Sequence, residues 1–150
     1  QTIRKEASML VSQIIKSKGA SVRTVQDAED LQSVARVLDT ERIGAVVALD
    51  DAGGISGVLS ERDIIRQLAG KGPDALSMAV ADAMTRDVIT ASPGERIDTC
   101  LERMTDRRVR HLPVVEAGSL VGIISIGDLV KWKIAETEAE AESLKSYVSG

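Results

Sequence analysis

Phenylalanine is absent from this 150-residue chain, and Trp, Tyr, Cys and His each occur once. One Cys excludes a disulfide framework, a Cys-based zinc site and CxxC redox chemistry. One His, His111, excludes a two-His metal site. So few aromatics leave no base-stacking platform. No apolar run approaches the ~20 residues that span a bilayer. The opening QTIRKEASMLVSQ has neither the apolar core nor the cleavage site of a secretory signal. A basic excess is also missing. Lys+Arg is 19 and Asp+Glu is 23, a formal charge of −4. That balance disfavours general nucleic-acid binding, the local cluster of Arg103, Arg107, Arg108 and Arg110 notwithstanding. What remains is 43% hydrophobic, enough for a real core. The expectation is a soluble cytoplasmic protein of one compact domain, or two small lobes that share a core.

The chain repeats itself. Val22 meets Val88 and Thr24 meets Thr90, an offset of 66 (88 − 22). Leu31, Val34, Ala35 and Leu38 meet Ile97, Cys100, Leu101 and Met104. Both quartets have the i, i+3, i+4, i+7 spacing of an amphipathic helix. An extra residue after Asp50 shortens the offset to 65 (122 − 57). Gly57 then meets Gly122, Ser60 meets Ser125, and Asp63 meets Asp128.

Each repeat reads β-α-β-β-α. Short strands are predicted at Val22–Val25 and Val88–Thr90, and helices over 28–39 and 94–106. Asp27 is the N-cap candidate of the first helix. Ser92 before Pro93 is that of the second, with Pro at the first helical position. IGAVVAL and ISGVLS flank Asp50–Gly54, and VRHLPVVE and LVGIIS flank Ala117–Ser119. Gly-rich breaks between β-branched runs predict hairpins. Ser60-Glu61-Arg62-Asp63 and Ser125-Ile126-Gly127-Asp128 open the second helices.

Ala69–Asp74 reads as a linker with turn chemistry. Residues 9–16 predict an N-terminal helix leading into the first repeat. The last helix is expected to continue through the acidic tail, with Glu136, Glu138, Glu140 and Glu142 solvated. Ile134, Ala141 and Val148, with Leu144 and Tyr147 nearby, form either a packing stripe or the apolar residues of an exposed helix. Cys100 reads as a buried small hydrophobe. Trp132 either covers the second repeat or packs across a dimer.

Two tandem β-α-β-β-α units, each with G-h-h-S-x-x-D (h, hydrophobic) at the second helix, resemble a pair of CBS domains, named after cystathionine β-synthase. The carrying residues are GVLSERD at Gly57–Asp63 and GIISIGD at Gly122–Asp128, with RVRHLPVVE at Arg108–Glu116 and MTRDVIT at Met84–Thr90. The resemblance implies an α+β fold in which the two repeats pack as a pseudo-twofold sandwich with helical extensions at both ends. Its boundaries are 10–68 for the first repeat, 69–79 for a linker, 80–135 for the second repeat and 136–150 for the tail. It also implies a homodimer that binds AMP, ADP, ATP, NAD(H) or S-adenosylmethionine in clefts between the repeats, and that regulates an unidentified protein.

Asp63 and Asp128 stand at predicted helix starts, where a carboxylate can accept hydrogen bonds from both hydroxyls of a ribose. Ser60 and Ser125 can cap the helix or bond a ligand. The helix N-terminus adds N–H donors and a dipole that favours an anion. S-x-x-D is equally an ordinary capping arrangement. By resemblance, Arg110 and His111 face ligand phosphate, for which an Arg fork is well shaped. The first repeat has Gly44 and Ala45 at these positions, which implies one strong site or two unlike ones. The first implied cleft combines Ala20, Ile43, Gly44, Arg110, His111, Ile123, Ser125 and Asp128. Backbone near Ala20 would read the adenine edge, with Ile43 and Ile123 against its faces. The second combines Val58, Ser60, Arg62, Asp63, Arg86 and Val109. The apolar members read equally as core, and Arg62 and Arg66 as a solvated helix face.

An enzyme is not expected. Acid–base work needs a positioned pair of titratable groups, magnesium-dependent hydrolysis needs a carboxylate cluster, and Asp50-Asp51 reads as a turn. No metal site or catalytic cofactor is expected. The competing function is a structural interaction module that binds partners without a ligand.

Overall fold

A computed structural model of the chain describes residues 9–19 and 22–149, with side chains through Lys145. Its elements run α1 (Val11–Lys18), β1 (Thr24–Gln26), α2 (Leu31–Glu41), β2 (Ala45–Leu49), β3 (Ile55–Ser60), α3 (Glu61–Lys71), a 3-10 helix (Gly72–Ser77), α4 (Val80–Ala83), α5 (Ile97–Arg107), β4 (His111–Glu116), β5 (Ser119–Ser125) and α6 (Ile126–Ser149). They form two compact units. One is continuous, Arg23–Val88; the other is split, Gln1–Val22 with Ile89–Gly150.

In the continuous unit, β1 pairs parallel to β2 and β2 antiparallel to β3. The connecting turn is built by Asp50, whose Oδ1 accepts N–H bonds from Ala52 and Gly54 at 2.9 Å each. The core holds Leu31, Val34 and Leu38 of α2 against Val46, Ala48 and Leu59 of the sheet. The expected linker is ordered: α3 runs to Lys71, and the following 3-10 helix, with Pro73 in its first turn, buries Ala75. Met84 and Thr85 lie along β3. Val58 and Thr85 exchange backbone bonds of 3.0 and 2.9 Å. A Cβ on Gly57 would meet the Met84 side chain and come within 2.8 Å of the Thr85 carbonyl, so only Gly admits this approach.

In the split unit, β4 and β5 form an antiparallel hairpin. Its turn residues Ala117 and Gly118 have φ of 51° and 80°, the left-handed pair of a type I′ turn. Ile97, Cys100 and Met104 of α5 pack with Leu112, Val114, Ile124 and Leu129. Val11 and Ile14 of α1 are fully buried in that same core. The N-terminal helix therefore belongs with the second repeat's residues, not with the first repeat it precedes. Trp132 packs onto this core, and Cys100 is buried. Burial pushes the Cys100 thiol up to about 11, with the Glu95 charge adding to the rise.

Three local expectations are corrected. The first helix starts at Leu31 with Asp30 as cap, its carboxylate accepting the Ser33 N–H at 2.9 Å, in place of Asp27. The second starts at Ile97 behind Arg96, not behind Ser92. Ser92 and Asp27 lie in preceding turns; Glu95 closes one onto the Ser92 N–H at 2.8 Å, and Glu29 closes the other onto the Gln26 N–H at 2.7 Å. The strand expected at Val88–Thr90 reduces to a parallel bridge between Ala91 and Val114. Pro113 explains this. It stands where β2 has Val47, whose N–H reaches the Arg23 carbonyl, and proline has no N–H to give.

The tail is helical as expected, but Glu136 is not solvated. It is buried, accepts the Met9 N–H at 3.2 Å and lies 3.5 Å from Lys133 Nζ. Glu138, Glu140 and Glu142 are exposed, as are Ile134, Ala141 and Leu144. Tyr147 and Val148 lie beyond the described side chains. Among the described residues, no helix is long and apolar enough to cross a membrane.

Candidate functional site

The hairpin register of the split unit sets His111 opposite Ser125 and Pro113 opposite Ile123. α6 starts directly after Ser125, and the Ile126 N–H donates to the Arg110 carbonyl at 2.8 Å. The Ser125 hydroxyl accepts the Asp128 N–H at 3.1 Å, while Asp128 Oδ2 accepts the Ser125 N–H at 2.9 Å. This reciprocal cap fixes the carboxylate at the helix start. Arg110, His111, Ile123, Ser125 and Asp128 are thus gathered at one end of the hairpin, with Arg110 exposed and the others half-buried.

A sixth residue joins them from α1. Lys18 Nζ donates to Asp128 Oδ2 at 2.8 Å and to the Ile123 carbonyl at 3.0 Å. Burial raises the Asp128 carboxyl, but hydrogen bonds from Lys18 and Ser125, with the Lys18 charge, bring it below its usual value. Lys18 and Asp128 are 110 residues apart in sequence, and no periodicity or motif links them. Sequence reasoning missed this residue.

The continuous unit repeats the frame with different chemistry. Ala45 faces Ser60, and the Glu61 N–H donates to the Gly44 carbonyl at 3.0 Å. Gly44 and Ala45 therefore occupy the places of Arg110 and His111. Ser60 and Asp63 cap one another, with bonds of 3.2 and 2.9 Å. The Ser60 hydroxyl also lies 3.1 Å from Asp63 Oδ2, and Arg66 Nη1 donates to Oδ1 at 3.2 Å. The Asp63 side chain is only 8% exposed, against 25% for Asp128. Asp63 is engaged within its own helix, whereas Asp128 is held by a side chain from another element.

Backbone geometry reproduces the internal repeat. Arg42 and Arg108 end α2 and α5 in the left-handed region, at φ of 54° and 55°. Both helices bury three residues of the predicted stripe and half-bury the fourth, Ala35 or Leu101. The CBS domain family matches at residues 11–70 and again at 80–135. The chain belongs to the CBS domain family. It is 40% identical to the CBS-domain protein ATU1752 of Agrobacterium tumefaciens, with a TM-score of 0.79 over 83% of this chain and 92% of that one. It is 29% identical to the mitochondrial CBS domain-containing protein CBSX3 of Arabidopsis thaliana, across 95% of this chain and 73% of that protein. It is 25% identical to the CBS domain pair of protein MJ0100, solved in complex with 5′-methylthioadenosine and S-adenosyl-L-methionine. That likeness has a TM-score of 0.73 and covers 83% of this chain and 98% of that one.

The remaining predicted residues are less concentrated. Ile43 and Gly44 line a shallow groove of about 450 Å³ with Leu38, Arg42, Glu61 and Ile65, on the helical side of the first CBS repeat. Asp63 is not in its lining. Val58 bonds Thr85, Arg62 is exposed, and Arg86 donates to the Ala81 carbonyl at 2.7 Å. Val109 packs onto the split unit's core and donates its N–H to the Met104 carbonyl. Ala20 lies outside the described residues. Among the described residues, no group of three or more His, Cys, Asp or Glu side chains could hold a metal ion.

Proposed function

We propose that the chain is a non-catalytic regulatory module that binds an adenosine-containing ligand, of the class AMP, ADP, ATP or NAD(H), at the start of α6. The observation that carries this reading is the reciprocal Ser125–Asp128 cap. It presents a partly exposed carboxylate at a helix N-terminus, beside Arg110 and His111. The carboxylate would accept the ribose hydroxyls, the Arg110 fork a phosphate, and Ile123 an apolar face of the base. In the continuous unit the proposed ligand residues are Ile43, Gly44, Val58, Ser60, Arg62, Asp63 and Arg86; Ala20 and Val109 are the further proposed residues of the split unit. The adenosine ligands of MJ0100 support the class of ligand. A homodimer is the proposed assembly, because Ile65 and Val130, at matching places in the two repeats, are 63% and 44% exposed.

The second reading, an interaction module without ligand, draws support from Asp63, whose carboxylate is spent on Ser60 and Arg66. A thermal-shift panel of AMP, ADP, ATP, NAD⁺, NADH and S-adenosylmethionine, run beside Asp128→Ala, separates the two. A ligand at ~100 times its Kd stabilises by roughly 2.7 kcal/mol, a shift of several degrees at this size. One ligand should give that shift, and Asp128→Ala should abolish it. No shift with any of the six would leave the interaction module standing.

A further inference from the structure

The Lys18–Asp128 pair has no counterpart in the continuous unit. Two segments play matching parts in the two units. Ile15 lies against Gly122 as Met84 lies against Gly57, which relates them by an offset of 69 (84 − 15). On that offset Asp87 stands where the split unit has Lys18. The alignment thus sets a carboxylate against an ammonium, but Lys18 is carried on the helix α1, whereas α4 ends at Ala83 and the chain is extended at Met84.

Lys18 is 40% exposed and its partner 25%, so the ion pair adds little to stability. α1 does not require it either: the helix ends at Gly19, whose N–H caps the Ile15 carbonyl, and a cation in the last turn is favourable whether or not it has a carboxylate. What the pair does is occupy Oδ2 of the carboxylate that the proposed function assigns to ribose. A diol that takes both carboxylate oxygens must displace the ammonium. Once displaced from Asp128, Lys18 keeps only the neutral Ile123 carbonyl and regains an anionic partner only if the ligand brings its own.

We propose that Lys18 makes the Asp128 site selective for anionic adenosine ligands, by competing with the ribose for Asp128 in the free protein and pairing with ligand phosphate in the complex. An uncharged nucleoside must break the ion pair and offers no replacement. S-adenosylmethionine sets one carboxylate against a sulfonium and an ammonium, a net cation, and is disfavoured relative to AMP. Asp63 of the continuous unit pairs with Arg66 of its own helix and takes no cation from another element, so the selectivity belongs to the split unit. The proposal rests on the ribose reading of Asp128.

Calorimetric titration of AMP, adenosine and S-adenosylmethionine into the wild type, Lys18→Gln, Lys18→Arg and Asp128→Ala tests it. Wild type should bind AMP about tenfold or more tighter than adenosine, the scale of one charge-assisted hydrogen bond. Lys18→Gln should tighten adenosine and leave AMP unchanged or weaker, so that the wild-type preference for AMP shrinks. Lys18→Arg should keep the preference. Lys18→Gln changes that are equal for both ligands, or absent, overturn the proposal while leaving the ribose reading intact. If neither AMP nor adenosine binds wild type or Lys18→Gln, or if Asp128→Ala binds them as wild type does, the ribose reading has failed and the proposal falls with it.

Discussion

Asp63 and Asp128 sit at the same position of the same motif, yet they meet different surroundings. Asp63 closes onto its own helix through Ser60 and Arg66. Asp128 closes onto Ser125 and takes Lys18 from α1. The motif was legible because reciprocal capping is local: four consecutive residues fix the geometry. The Lys18 contact was not, because it depends on where α1 docks. The folded Asp128 pKa lies below its usual 3.8. Its ionised form is thus favoured in the folded state, and the stability this contributes is present above pH 3.8 and lost as pH falls through the folded value. Asp128→Ala should lower stability at pH 7 by about 1 kcal/mol, the usual cost of losing a cap. Urea unfolding should show the gap between wild type and variant narrowing as pH drops below about 4. A gap that widened on acidification would contradict the assignment.

At the scale of the element, the helix stripes were fully legible, since periodicity records which face is buried. Helix starts were not. Asp27 and Ser92 are good caps by residue type, but both helices begin where another segment closes their first turn. The Leu31 N–H donates to the Met78 carbonyl at 2.9 Å, and the Ile97 N–H to the Met9 carbonyl at 3.1 Å. Segment 78–81 serves α2 as segment 9–12 serves α5: Val80 and Val11 donate to Glu29 and Glu95, and Ala81 and Ser12 to Asp27 and Pro93. At α5 a tertiary contact thus replaces a local cap, and at α2 it acts beside the cap from Asp30. It also makes α1 part of the split unit's core. Ile14→Ala should destabilise by about 2–4 kcal/mol, the range for deleting a fully buried aliphatic side chain. Native-state hydrogen exchange should accelerate in α5 and β4–β5 rather than in α2 and β2–β3. Equal acceleration in both units would argue against this placement of α1.

At the scale of the whole molecule, each unit carries an exposed apolar face. Ile65 and Val130 are exposed at matching places on α3 and α6, and Ile126 and Ile134 extend the apolar surface along α6. Burying such surface stabilises by roughly 25 cal/mol per Å². Under the homodimer proposal, sedimentation equilibrium should give twice the 16.0 kDa of one chain. The double substitution Ile65→Asp with Val130→Asp should return the protomer mass without loss of helix content. A wild-type protein that sediments at 16.0 kDa at all concentrations would remove the proposal.

The sequence alone determined the duplication, the order of elements except for the second repeat's first strand, the buried stripes and the two capped aspartates. All of these rest on spacings of a few residues, which the backbone converts directly into a face or a turn. Tertiary structure decided which segment completes which repeat. It put α1 with the second repeat, and residues 72–88 with the first. It buried Glu136 under the Met9 amide and brought Lys18 to Asp128 across 110 residues. These pairings depend on which hydrophobic face each short segment can cover, and that is settled only when the cores assemble.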